Sequence, residues 1–207
     1  MTADGASLEP GQTIRSFVAV PLPESVRANL FAAAAELARA LPPQQVKWSR
    51  KIENLHVTIK FLGPVEEPKL ASFGGVLAAS LQALLPFGIE VRGMGAFPSP
   101  REANVLWAGV ADDGRLSLVA EAVEEAAARL GIGERSPRPF RAHVTVGRSK
   151  QGVDARAALA PFGERAFGAA SVDEALVFES RLGSGPDNVG STYILRHKAA
   201  LGSHSSN

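Results

Sequence analysis

Cysteine is missing from all 207 residues, which excludes disulfides, thiolate zinc sites and a cysteine nucleophile. Long apolar runs are missing too: no stretch approaches the ~18–20 residues that a helical membrane span needs. Residues Met1 to Gln12 lack the basic-then-apolar order of a secretory signal, so the cytoplasm is the expected location. Charge of one sign is not in excess. With 22 Lys and Arg against 21 Asp and Glu the net charge is +1, so any contact with nucleic acid has to come from a local patch. The glycines between Gly183 and Gly190 lack the Lys-Ser/Thr ending of a phosphate-binding loop.

What is present suits a globular chain with one core, at 45% hydrophobic and 21% charged residues. A single domain is expected over 13–201, with loose tails at 1–12 and 202–207. Alternation predicts strands at Ile14 to Val20, Leu55 to Leu62, Ile89 to Phe97, Val105 to Val110, Phe140 to Arg148, Ala175 to Ser180 and Thr192 to His197. Helices are predicted from Pro23-Glu24 to Pro42-Pro43, from about Pro68 to Leu85, from Asp112 or Asp113 to Gly131, and near Val153 to Leu159. Gly74-Gly75 weakens the second of these. Strands that follow one another directly favour an α+β fold with mainly antiparallel sheet.

Two segments hold the chemistry. In Leu55-His56-Val57-Thr58-Ile59-Lys60-Phe61-Leu62, strict alternation sends Leu55, Val57, Ile59 and Phe61 to the core, and His56, Thr58 and Lys60 to the opposite face. In Ala142-His143-Val144-Thr145-Val146, His143 and Thr145 share the outward face. A histidine and a threonine two residues apart on a strand can both reach one phosphate. Either motif alone suits an ordinary solvent face. The pair, 87 residues apart within a coarsely repeated order of strand, helix and His-x-Thr strand, is harder to dismiss. Basic residues flank both motifs: Lys47, Arg50 and Lys51 before the first, and Arg135, Arg138, Arg141, Arg148 and Lys150 around the second. Trp48 and Trp107 read as packing or cleft wall, His197 as structural, and Tyr193 as either packing or within reach of the site.

These residues resemble the two-histidine phosphoesterase superfamily, and within it the RNA 2′,3′-cyclic phosphodiesterases, also called 2′-5′ RNA ligases. The resemblance is carried by Arg15 to Ala19, Trp48, Glu53 to Gly63, Leu106 to Gly109, Phe140 to Arg148, Phe178 to Ser180 and Tyr193. Ala142 departs from the proline that many members carry before the second histidine. The resemblance implies a bilobal α+β fold, two pseudo-twofold lobes with mainly antiparallel sheets about a central cleft. His56 and His143 would be the catalytic pair, and Thr58 and Thr145 would hold the non-bridging phosphate oxygens. The implied activity opens RNA 2′,3′-cyclic phosphate ends to a 2′-phosphomonoester with no metal or cofactor, with reverse 2′-5′ ligation as a further capacity. His143 as base and His56 as acid is the assignment the resemblance suggests; the sequence symmetry favours neither.

Arg148 matches a family arginine that meets the phosphate, yet its parity points to the core unless Gly147 carries a bulge. Lys60 on the His56 face could neutralise phosphate, and Phe17 could stack on a base. The expected partners are RNA ends or small nucleotides with a cyclic phosphate, with no membrane, no obligate protein partner and a monomeric state. Three alternatives stand beside this reading. One is a cyclic phosphodiesterase for small nucleotides or ADP-ribose cyclic phosphate, and another a non-catalytic RNA-binding module with the same cleft. A metal site is the poorest, because neither motif contains an acidic ligand.

Overall fold

The computed structural model describes residues 13–182 and 191–203. The expected tail 1–12, the Gly183 to Gly190 loop and residues 204–207 lie outside the described residues. The elements run β1 (Thr13–Pro21), α1 (Glu24–Arg39), β2 (Lys47–Trp48), β3 (His56–Glu66), α2 (Glu67–Leu81), β4 (Phe87–Ser99) and β5 (Glu102–Ala111). Then follow α3 (Arg115–Arg129), β6 (His143–Arg148), α4 (Arg156–Leu159), β7 (Ala166–Val172), β8 (Glu174–Leu182) and β9 (Ser191–Ala200).

The strands pair antiparallel throughout, in the order β7-β4-β5-β6-β3-β1-β8-β9, with β2 added to β6. The sheet divides into two equivalent halves. Reading outward from the middle, one is β3-β1-β8-β9 and the other β6-β5-β4-β7, so each begins with a His-x-Thr strand. They meet through the single pair Val57↔Val144. This is the expected bilobal α+β arrangement, with the two motifs at its seam.

The helices tie the halves together. α1 leaves β1 but packs on β6 and β7, while α3 leaves β5 and packs on β3. On α1, Val26, Leu30, Ala33, Ala34 and Leu37 form one apolar stripe, and Asn29 Nδ2 donates to the Phe167 carbonyl at 2.9 Å. On α3 the stripe is Leu116, Val119, Ala120, Val123, Ala126 and Ala127. Both stripes join one continuous buried cluster. The helix α2 runs unbroken through Gly74-Gly75 because His197 of β9 packs on the bare Gly74 backbone; a Cβ there would stand 2.5 Å from the ring. His197 is accordingly a packing residue.

Two sequence expectations change. The strand β7, AFGAASV, is too rich in Ala and Gly to stand out by propensity, and its pairing with β4 creates it. Gly202, placed in the loose tail by sequence, is buried, and its N–H donates to the Leu84 carbonyl at 2.8 Å.

Candidate active site

Both motif strands break their alternation at the same point. Against β1, β3 pairs Thr58 with Ala19 and Lys60 with Val18, so Ile59 is an extra residue that reverses the phase. Against β5, β6 pairs Thr145 with Trp107 and Gly147 with Leu106, leaving Val146 extra in the same way. The outward positions are therefore His56, Thr58 and Phe61 on one strand, and His143, Thr145 and Arg148 on the other. A second irregularity, at Leu62, keeps Leu62 inside.

These bulges decide three expectations. Arg148 escapes the core and lines the site because of a bulge, which falls at Val146, one residue before the expected Gly147. Lys60 is turned away from His56. Only 7% exposed, it bonds to Glu124 Oε2 and the Glu134 carbonyl, both at 2.8 Å, so it ties β3 to α3 and cannot meet substrate. Phe61, assigned to the core by alternation, is 60% exposed in the cavity. An alternation count could not reveal this, because the extra residue is defined only by pairing with β1.

Val57 and Val144 are fully buried beneath the seam. Continuing their antiparallel register by one residue each way sets His56 opposite Thr145 and Thr58 opposite His143. Directly opposed Cβ atoms lie ~4.5–5.5 Å apart and diagonal neighbours ~7–8 Å. One phosphate bridging the two histidines thus sits within reach of both threonines.

The histidines are held differently. His56 stacks on Phe17 with centroids 5.1 Å apart at 23°, and meets the edge of Tyr193 at 5.4 Å. Burial against these rings pushes its pKa down to about 4, opposed by a backbone hydrogen bond with Asn54. Phe17 touches the cavity but is only 2% exposed, so it is the floor under His56 and has no free face for a base. His143 meets Phe97 edge-on at 5.2 Å, and its Nδ1 bonds to the Arg141 carbonyl at 2.7 Å. A carbonyl only accepts, so Nδ1 carries the proton and Nε2 is free for chemistry. The pKa of His143 is lowered by burial; the Arg141 carbonyl opposes this, and the charge of Arg148 adds to it. Each imidazole is thus oriented by the backbone two residues before it.

A cavity of about 490 Å³ opens over the seam. His56, Thr58, Phe61, Thr145, Arg148 and Tyr193 line it, with a basic rim from Arg15, Lys47, Arg50 and Lys51. His143 is not among its lining residues; it stands beside the cavity, against Phe97. Trp48 also lines the cavity and packs on Gly147, whereas Trp107 packs over Gly95. Tyr193 is the wall between His56 and the rim. Among the described residues no three His, Cys, Asp or Glu side chains gather as a metal site.

Two strands that each present a histidine and a threonine from equivalent halves, with Phe61 and Arg148 beyond them at the cavity, have the arrangement of a two-histidine phosphoesterase. The sequence model described as LigT like Phosphoesterase matches residues 20–107, which hold the first motif; the second lies beyond it. An RNA 2′,3′-cyclic phosphodiesterase of Archaeoglobus fulgidus is 39% identical over 138 residues, 67% of this chain and 74% of that protein. One of Methanothermobacter thermautotrophicus is 36% identical over 66% of this chain and 72% of that protein. Among solved structures, TT0787 of Thermus thermophilus superposes with a TM-score of 0.74 at 28% identity, over 92% of this chain and 100% of that one. E. coli LigT complexed with 3′-AMP superposes with a TM-score of 0.72 at 26% identity, over 92% and 99%. The chain belongs to the LigT-like phosphoesterase family.

Proposed function

We propose that the chain is an RNA 2′,3′-cyclic phosphodiesterase that opens the cyclic end to a 2′-phosphomonoester. The observation that carries this reading is the meeting of His56, Thr58, Thr145 and Arg148 at one cavity, with His143 diagonal to His56 across the seam. The named relatives support the substrate class.

Ring opening needs a base on one side of phosphorus and an acid on the other. Neutral His143 takes a proton from water as its oxygen bonds to phosphorus. The bond from phosphorus to O3′ breaks, and protonated His56 gives O3′ its proton. Thr58, Thr145 and Arg148 stabilise the charge that builds on the non-bridging oxygens. Burial keeps His56 neutral while the cavity is empty, so its proton arrives with the anionic substrate, whose charge favours the imidazolium. Phe61, aromatic and exposed beside Thr58, is placed to stack on the terminal base. A 5′-hydroxyl in place of water would run the same steps toward a 2′-5′ linkage.

No metal takes part in this reading, and the protein acts as a single bilobal unit. The test is incubation in excess EDTA with a short RNA ending in a 2′,3′-cyclic phosphate, and chromatographic assignment of the product. A single 2′-phosphate product is expected. A 3′-phosphate product reverses the leaving oxygen. Intact RNA and intact cyclic mononucleotides, both still bound, would leave a binding module.

A further inference from the structure

The cavity carries more positive charge than one phosphate needs. Among the described residues five cations line it, Arg15, Lys47, Arg50, Lys51 and Arg148, and no carboxylate does. The whole chain has a net charge of only +1, so this concentration is local. Among the described residues, none of the five takes part in an ion pair.

Their arrangement is also costly without an anion. The two-residue strand β2 pairs Lys47 directly with Arg148 on β6. Directly opposed side chains share a face, and like charges there are destabilising. Gly147 makes this pairing possible, since a Cβ at that position would stand 2.8 Å from Val46 and 3.0 Å from Trp48. Lys51 is steadied over the cavity by a 3.2 Å hydrogen bond to Thr192 Oγ1. A cyclic mononucleotide has one anionic phosphate, which Arg148 and the threonines satisfy. The other cations are surplus for it.

Resting on the reading above, we infer that the segment Lys47 to Lys51, with Arg15, is a strand-binding rim for single-stranded RNA. It holds the phosphates on the 5′ side of the cyclic end, with Lys47 beside Arg148 taking the first of them. The enzyme therefore selects oligonucleotide ends over free cyclic nucleotides by counting phosphates.

The test compares a ribonucleoside 2′,3′-cyclic monophosphate with a single-stranded hexaribonucleotide bearing the same end. For both, kcat/KM is followed from about 50 to about 400 mM KCl, where each phosphate contact to a single strand contributes about 0.7 to the log–log slope. At low salt the hexamer is expected to be favoured at least about ten-fold, with a slope steeper by about 2 for three added contacts. The exposed pair Lys47→Gln and Arg50→Gln should remove about 1.4 of that slope and change the mononucleotide far less. Equal kcat/KM values and parallel salt lines would overturn the inference while leaving the proposed activity intact. Should neither substrate be opened, the activity fails instead. Anisotropy of a labelled hexamer over the same salt range then decides the rim by the same slopes.

Discussion

The strands His56–Phe61 and His143–Arg148 have the same plan and end differently. Each sets histidine and threonine on one face, bulges at the fourth residue, and turns the sixth into the cavity. The sixth residue is Phe61 on one and Arg148 on the other, so one half offers an aromatic face and the other a cation. The fifth residue differs as well. Lys60 is long because it must reach Glu124 on α3, and Gly147 is bare because Trp48 of β2 lies against it. Pseudo-symmetry supplies the two histidines that the proposed reaction uses as acid and base, and it is broken at these positions, which on that reading would favour one orientation of a nucleotide.

Replacing the shared residues should do most damage. His56→Ala and His143→Ala are each expected to lower kcat by about 10²–10⁴, the usual scale for a positioned acid or base. The double variant should fall little further, because the two act as one unit. Arg148→Met is expected to cost about 10²–10³ in kcat/KM, with partial recovery in Arg148→Lys. A loss below about three-fold would remove Arg148 from the phosphate.

The two imidazoles also differ in depth, which gives a stability test. The folded pKa of His56, about 4, lies below the ordinary value of 6.5. Such a group stabilises the fold fully above 6.5, and the benefit is lost as pH falls toward 4, because the unfolded chain binds the proton first. About 3 kcal/mol of pH-dependent stability should disappear from denaturant titrations of His56→Gln between pH 7 and pH 4.

Lys60→Met should cost about 2–3 kcal/mol of stability, less than for a fully buried pair because Glu124 keeps 19% exposure. Its KM should match the wild type; a raised KM would return Lys60 to the substrate. The smallest effect belongs to Phe61→Ala, a KM increase of about five- to ten-fold with kcat little changed, in keeping with ~1–3 kcal/mol for one base stack.

Much of this was legible in residue order. The paired H-V-T strands, the α+β class and the stripes of α1 and α3 are local patterns, and the fold keeps them. What alternation could not supply is the bulge, a property of two strands in register. Thus Lys60 and Phe61 exchange faces relative to the sequence reading, while Arg148 reaches the cavity through a bulge at Val146, one residue before the expected Gly147. Phe17 reaches the cavity side. It is nonetheless covered by His56 and Tyr193, and the latter arrives from β9, far along the chain. The strand β7 exists through its partner β4, and no propensity announces it.

The central claim is that one histidine must be neutral and the other charged in a site that partly buries both. It is tested most directly by kcat/KM for cyclic-ended RNA against pH, which reports the free enzyme. Both histidines are depressed, one to about 4, so the bell should peak on the acid side. Its alkaline limb should fall with unit slope from below pH 6.5, while kcat, measured on the anion-bound site, peaks at higher pH. A kcat/KM that stays level from about pH 5 to about pH 8 would contradict the account, since no opposite protonation of two such histidines could then be required.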